Sequence, residues 1–376
     1  MQKSTLPALL PAALLLAACT TAPQVQAPPR AEAPLKVTDS AYSTTLVWNT
    51  GGHWTNGTLD GLRLSGDTLV LAPGKTEGTL TSNVITVNAY DQLIPSWNAE
   101  TGAKGSLRVE VRHQKNGDTW TKWYTFGTWS QAEGRASVDD QKDADGTVWT
   151  DTNNLYGSAV TTRYQYRVTL KDGATLGQVA INTVNTDLGL AGAGAASDRS
   201  VWGKVLNVPE RSQMIYPDGG EVWCSPTSTS MVMAFYGIDV SVPDAARGTY
   251  DAVYDGTGNW PFNVAYAAEQ GLRGFVTRLP SLADAEKYIG AGIPVVASIR
   301  WKEGELPGAA IPSSSGHLLV IVGFDEQGNP VVNDPAAADN DSVQRTYPRA
   351  IFEKLWLGAS GGMVYVIHKN GMTVPL

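Results

Sequence analysis

EVWCSPTSTSMVMAFYG, residues 221–237, holds the second of only two cysteines in this 376-residue chain. Pro226 suits the first turn of a helix, where amide hydrogens lack partners anyway. Met231, Met233, Ala234 and Phe235 continue the segment as an apolar run, and Gly237 closes it. Cys224 thus stands at a predicted helix start, among unpaired amide donors and at the positive end of the helix dipole. Both favour thiolate, the reactive form of the thiol. Inert buried cysteines also begin helices, so these residues alone leave nucleophile and structural thiol equally open.

Outward from this helix, PFNVAYAAEQG (261–271) and LADAEKYIGAG (282–292) read as further helices, each ending at a glycine suited to a left-handed cap. IPVVASIRW (293–301), GHLLVIVGFD (316–325), NPVVNDP (329–335) and GGMVYVIH (361–368) read as strands. Their nearly continuous apolar character predicts burial on both faces. Helices followed by strands predict an α+β domain.

A thiolate nucleophile needs a base, and the chain has four histidines. His53 and His113 fall in the N-terminal half and His368 at the end of a terminal strand. His317 follows a glycine directly before an apolar strand. If GHLLVIVGFD and NPVVNDP form a hairpin across DEQGN, Asp334 returns to the edge occupied by His317, where it can orient the imidazole. Asp325 belongs to the opposite end. Singly, His317 also reads as a solvated strand-end histidine and Asp334 as a turn residue. The order Cys, His, Asp within one domain favours the catalytic interpretation.

VPERSQ, WCSPTSTSMVMAFYG, GHLLVIVGFD and VNDP, taken in that order over residues 205–376, resemble cysteine-peptidase family thirty-nine, the papain-like bacteriocin-leader peptidases and their secreted relatives. The resemblance implies a papain-like fold with Cys224 as nucleophile, His317 as general base and Asp334 as orienter. It also implies that Gln213 donates to the oxyanion hole beside the Cys224 amide, a contribution on the order of 3 kcal/mol. Two features depart from the family pattern. Ser225 stands where glycine is usual, and MIYPDGGEV lengthens the spacing from Gln213 to Cys224.

The N-terminal half has a different texture. SNVITVNAY, GSLRVEVRH, TWTKWYTFGTW, TTRYQYRVTL and LGQVAINTV alternate or run apolar between short turns, which predicts an antiparallel all-β sandwich. This region resembles the β-rich domains that precede such peptidase-like domains. Trp97, Trp120, Trp123, Tyr124 and Trp129 read either as core or as a sugar-stacking platform, with core favoured by the alternation of TWTKWYTF. DQKDADGTVWTD suggests a calcium loop, but Gln141 and Thr152 occupy its first and twelfth ligand positions, so an Asp-Gly turn is the better reading. HExxH, CxxC and phosphate-loop motifs are lacking, and no metal or other cofactor is expected.

The opening MQKSTLPALLPAALLLAAC has the layout of an export signal, too short in its apolar run to span a bilayer. Its ending resembles the bacterial lipoprotein box, which implies cleavage after residue 18 and lipidation of Cys19. A plain signal with an incidental cysteine is the simpler alternative. The expected organisation is a signal peptide (1–18), a disordered Pro/Ala-rich tether (19–38), a β-sandwich (39–188), a Gly/Ala-rich linker (189–204) and the peptidase-like domain (205–376). A net charge of −8 without a basic cluster argues against nucleic acid as partner. The expected protein is an extracytoplasmic, lipid-anchored peptidase acting on a peptide or protein, a peptidoglycan stem peptide among the candidates. The competing expectation is a catalytically silent or wall-glycan-binding surface lipoprotein.

Overall fold

The computed structural model describes residues 36–39, 44–50, 54, 56–115, 117–132, 134–157, 161–188 and 196–375. The expected signal peptide (1–18), Cys19, most of the expected tether (19–38), His53 and residues 189–195 of the expected linker lie outside them. The N-terminal strands are β1 (Lys36–Asp39), β2 (Thr44–Asn49), β3 (Thr58–Asp60), β4 (Leu62–Ser65), β5 (Thr68–Leu71), β6 (Glu77–Thr81) and β7 (Ile85–Tyr90). They continue with β8 (Gln92–Glu100), β9 (Ser106–His113), β10 (Tyr124–Trp129), β11 (Gly146–Trp149), β12 (Thr152–Leu155), β13 (Thr161–Lys171) and β14 (Thr175–Val184).

Antiparallel pairing sorts these strands into two sheets, one ordered β1-β2-β14-β8-β12-β11 with β5 and β4 alongside, the other β10-β9-β13-β6-β3 with β7 on β13. Leu93, Leu176 and Val179 of the first and Leu80, Val109 and Val168 of the second enter one hydrophobic core. Alternation in ITVNAY does what period two requires: Ile85 and Val87 point inward, Thr86 and Asn88 outward. The five segments named in the sequence are β7, β9, β10, β13 and β14; the remaining strands were not singled out, and two further details differ. Lys36, Val37 and Thr38, assigned to the tether, already pair with β2. TWTKWYTFGTW becomes regular strand only at Tyr124, because Trp120 makes an isolated bridge to Gln114.

The C-terminal elements are α1 (Cys224–Phe235), α2 (Val242–Thr249), α3 (Trp260–Glu269), β15 (Arg273–Arg278), α4 (Leu282–Gly290), β16 (Val295–Trp301), β17 (Ser314–Phe324), β18 (Pro330–Asn333), β19 (Gln344–Thr346), α5 (Arg349–Ser360) and β20 (Met363–His368). Helices and strands therefore interleave rather than following one another. The sequence reading missed β15, β19, α2 and α5: SVPDAARGT is short and RAIFEKLWLGAS buries only Phe352 and Trp356. Gly237, Gly271 and Gly292 all adopt positive φ, as the predicted helix stops require. No helix among the described residues is long and apolar enough to cross a membrane.

The sheet runs β15-β20-β16-β17-β18-β19, antiparallel throughout. Both faces are covered, which explains the unbroken apolar strands. Leu318, Val320, Val322 and Tyr365 enter the core shared with α1 and α3, while Leu319, Ile321 and Val364 pack with Phe352 and Trp356 of α5 and Ile289 of α4. Residues before the first helix are not a free joint. Val201 is buried, Val205 bridges to Gly323, and Leu206 donates its amide to Val322 O.

The described residues form a single compact unit. The reason lies at β15, an edge strand whose outer backbone groups need partners. Side chains of β8 and β14 supply them. Asn98 donates to Gly274 O at 2.8 Å and accepts from Gly274 N at 3.1 Å, Gln178 donates to the same carbonyl, and Ser96 accepts from Val276 N. Arg278 donates to Asn182 and Gln92. Phe262 of α3 packs edge-on against Trp97 and Trp129, with centroids 6.1 and 5.3 Å away.

Candidate active site

Helix α1 begins at Cys224, as the sequence indicated. It is buried almost all round, which its Ser/Thr-rich first half permits because the small hydroxyls bond within the protein. Ser228 donates to Leu318 O, Thr229 to Asn263 and Ser230 back to Thr227 O. Ser225, the departure from the usual glycine, shares a 2.9 Å hydrogen bond with Tyr365 OH. These contacts fix the helix start against β17, where the amides of Leu318 and Ser225 and the ring of His317 hydrogen-bond the sulfur.

His317 lies within β17, which begins earlier than predicted, at Ser314. The hairpin across DEQGN forms as expected, with Phe324 opposite Pro330 and Val320 opposite Asn333. Asp334 leaves the end of β18 and accepts a 2.7 Å hydrogen bond from His317 Nε2. Nδ1 is thereby left for Cys224. Asp325 stays at the far turn, capped by the amides of Gln327 and Asn329.

Two supporting residues escaped the sequence reading. Tyr347 OH donates to Asp334 Oδ2 at 2.7 Å, and Trp301 stands edge-on to the His317 ring, centroids 5.5 Å apart. Trp301 was legible only as the end of a strand. Tyr347 precedes Pro348 in a stretch without periodicity and carried no signal. The Ala336 amide adds a third donor to Asp334.

The electrostatics of the three side chains are coupled. Burial pushes the Cys224 thiol up, but the hydrogen bond and charge of His317, with the two amides, hold it below its ordinary value. Burial pushes the His317 imidazole down, and the Asp334 charge and hydrogen bond, reinforced by Cys224, raise it overall. Asp334 is held below the carboxylate range, its burial outweighed by His317, Tyr347 and the Ala336 amide. The arrangement favours a thiolate–imidazolium pair. Asp334 and His317 are almost completely buried, while Cys224 as a residue is half-buried.

Gln213 is buried in the segment before α1. Its backbone N–H donates to Pro335 O, next to Asp334, and Ser212 bonds Ala337 O and Asn340. The additional residues between Gln213 and Cys224 fold into successive turns, Tyr216 to Gln213, Gly220 to Tyr216 and Trp223 to Gly220. Gly220 comes so close that a Cβ there would meet Gln213 O at 2.1 Å. The buried Gln213 Oε1 has no hydrogen-bond partner.

His113 sits in the sandwich core between Tyr90 OH and Asn153 Oδ1, and burial lowers it to about 4. His368 bonds Lys369 O at the other end of the sheet. Trp97, Tyr124 and Trp129 are core. Trp120 and Trp123 are half-buried, and guanidinium groups cover their faces: Arg112 lies 4.6 and 4.7 Å from the two rings and Arg167 4.5 Å from Trp123. Asp143 of the discarded calcium loop accepts from Tyr124 OH and the amides of Asp145 and Gly146. Among the described residues, no group of three or more His, Cys, Asp or Glu side chains could hold a metal ion.

Residues 205–364 match the family described as Peptidase_C39 like family, and residues 44–186 match the Peptidase C39 N-terminal domain. The chain thus has a two-domain architecture, a β-rich N-terminal region followed by a C39-peptidase-like domain. Two solved peptidase structures are similar to part of this chain. One is a double glycine motif protease from an AMS/PCAT transporter in complex with its leader peptide (20% identity, TM-score 0.30, covering 44% of this chain and 94% of that one). The other is a putative C39-like peptidase from Bacillus anthracis (22% identity, TM-score 0.34, covering 44% and 98%). A cellulose-specific carbohydrate-binding module, CBM28, is similar at 12% identity and TM-score 0.18 over 37% of this chain and 85% of that one. No curated protein matches.

Proposed function

We propose that this chain is an extracytoplasmic, lipid-anchored cysteine peptidase that hydrolyses peptide bonds. The observation that carries the reading is the hydrogen-bonded series Cys224–His317–Asp334 at the start of α1, with Cys224 half-buried and the imidazole buried. Cys224 thiolate adds to the substrate carbonyl, forming a C–S bond. The oxyanion is met by the unpaired Cys224 amide and the Gln213 side chain. As the C–N bond breaks, imidazolium Nδ1 passes its proton to the leaving amine. Neutral His317 then takes a proton from water, hydroxide adds to the thioester, and cleavage of C–S restores thiolate and imidazolium. Asp334, itself anchored by Tyr347, holds the ring and stabilises its charge.

The export-signal layout and the lipobox-like approach to Cys19 support the location in the cell envelope. The test compares wild type with Cys224→Ala on a peptide library, with cleavage sites read by mass spectrometry. Cleavage by wild type alone is expected. Cleavage retained in Cys224→Ala, or none from a wild type whose thiol alkylates no faster than free cysteine at pH 6, would leave a silent binding protein instead.

A further inference from the structure

We propose that the groove between the β11–β12 tip and the end of α5 is a subsite for the substrate peptide, selecting a large apolar side chain beside a carboxylate. This rests on the peptidase reading above. The groove has a volume of about 700 Å³, and its lining includes Trp149, Trp260, Leu357, Gln92, Arg278 and Lys354. Trp149 is 67% exposed although it belongs to a pinned hairpin. Asp151 accepts the Trp260 amide at 2.8 Å, and Asn153 is bound by the buried His113. A large indole left open to solvent on a backbone that is itself held in place offers an apolar partner without any ordering of the chain that carries it.

Charge points to the companion group. The protein carries a net −8, yet the groove is lined by Arg278 and Lys354 and by no carboxylate among the described residues. The groove also lies at the catalytic end of the sheet. Arg278 pairs with Met363 on β20, Ser298 pairs with Leu318, whose amide meets the sulfur, and β20 lies beside β16. Strand β15 is therefore three strand spacings from β17, ~14 Å, a distance spanned by about four residues of extended chain. Ser360, which also lines the groove, donates to Ser298 O.

The test has two arms. In Cys224→Ala, binding of fluorescein-labelled Gly-Gly-Gly-Gly-Phe-Asp-Gly-Gly-Gly-Gly is compared by anisotropy with the same peptide carrying Ser-Lys in place of Phe-Asp. The Phe-Asp peptide is expected to bind at least ~tenfold more tightly. Adding Trp149→Ala or Lys354→Glu should remove most of that preference, the latter also abolishing its dependence on salt. In otherwise wild-type protein, library cleavage should favour an aromatic or large aliphatic residue next to an acid about four positions from the cut, and both substitutions should flatten it. Equal binding of the two peptides, or a preference indifferent to Trp149 and Lys354, overturns the subsite. Trp149-dependent binding without any cleavage by wild type would instead overturn hydrolysis and leave the subsite standing. Unchanged thermal unfolding of each variant separates these results from misfolding.

Discussion

At Cys224 burial and hydrogen bonding work against each other, and the hydrogen bonds win. Sulfur receives the ring of His317 and the amides of Leu318 and Ser225, so thiolate persists below the range of a free thiol. The ring can play this part only while Asp334 balances its charge. Asp334→Asn should keep an acceptor at Nε2 but lose the charge, lowering the imidazole and with it the thiolate fraction in acid. Iodoacetamide alkylation at pH 6 should fall by ~tenfold, corresponding to about 1.4 kcal/mol, while the rate at pH 9 changes little. A pH profile of alkylation identical to wild type would remove Asp334 from the proposed mechanism.

Among the elements, the segment from Gln213 to Cys224 is the one whose packing matters most for the proposed oxyanion site. Its turns bring Gly220 against the Gln213 carbonyl, leaving no room for a side chain. Gly220→Ala should force the turns apart and cost about 1–3 kcal/mol of stability in urea unfolding. Because Gln213 would move while Cys224 and His317 stay in contact, kcat should drop with alkylation at pH 6 retained. Gln213→Ala should lower kcat by ~10²–10³ through the same loss. An undiminished kcat in Gln213→Ala would assign the oxyanion to another donor.

For the whole molecule, the N-terminal sheets close the edge of the C-terminal sheet, so the two regions should unfold together. Phe262→Ala, which empties the space between Trp97 and Trp129, should cost ~3–5 kcal/mol. Fluorescence and circular dichroism should still report one coincident transition. Asp151, at the same junction, adds a pH dependence. Burial pushes its carboxyl up to about 6, against the opposing Trp260 amide and Thr152. Unfolded, it would titrate near ~3.9. Between these values the native state holds more protons, so this residue's contribution to stability falls as pH rises from ~4 to ~6. Asp151→Asn should flatten that part of the urea-midpoint profile.

The sequence alone was sufficient for what depends on local order. Pro226 and the helix-ending glycines delimit helices through backbone geometry, period two marks the sandwich strands, and a short DEQGN turn dictates which end of its hairpin carries Asp334. Cys224, His317 and Asp334 were legible because each sits at the end of such an element or close to it. Tyr347, Trp301 and the Asp151 junction were not, since their partners lie on other elements and no spacing along the chain encodes those distances. Helix α5 escaped for a related reason, as only two of its residues are buried and its place is set by the sheet beneath. The closing of β15 by Ser96, Asn98 and Gln178 was decided by tertiary structure alone: a polar side chain within a strand declares its partner only when an unpaired backbone edge is brought against it.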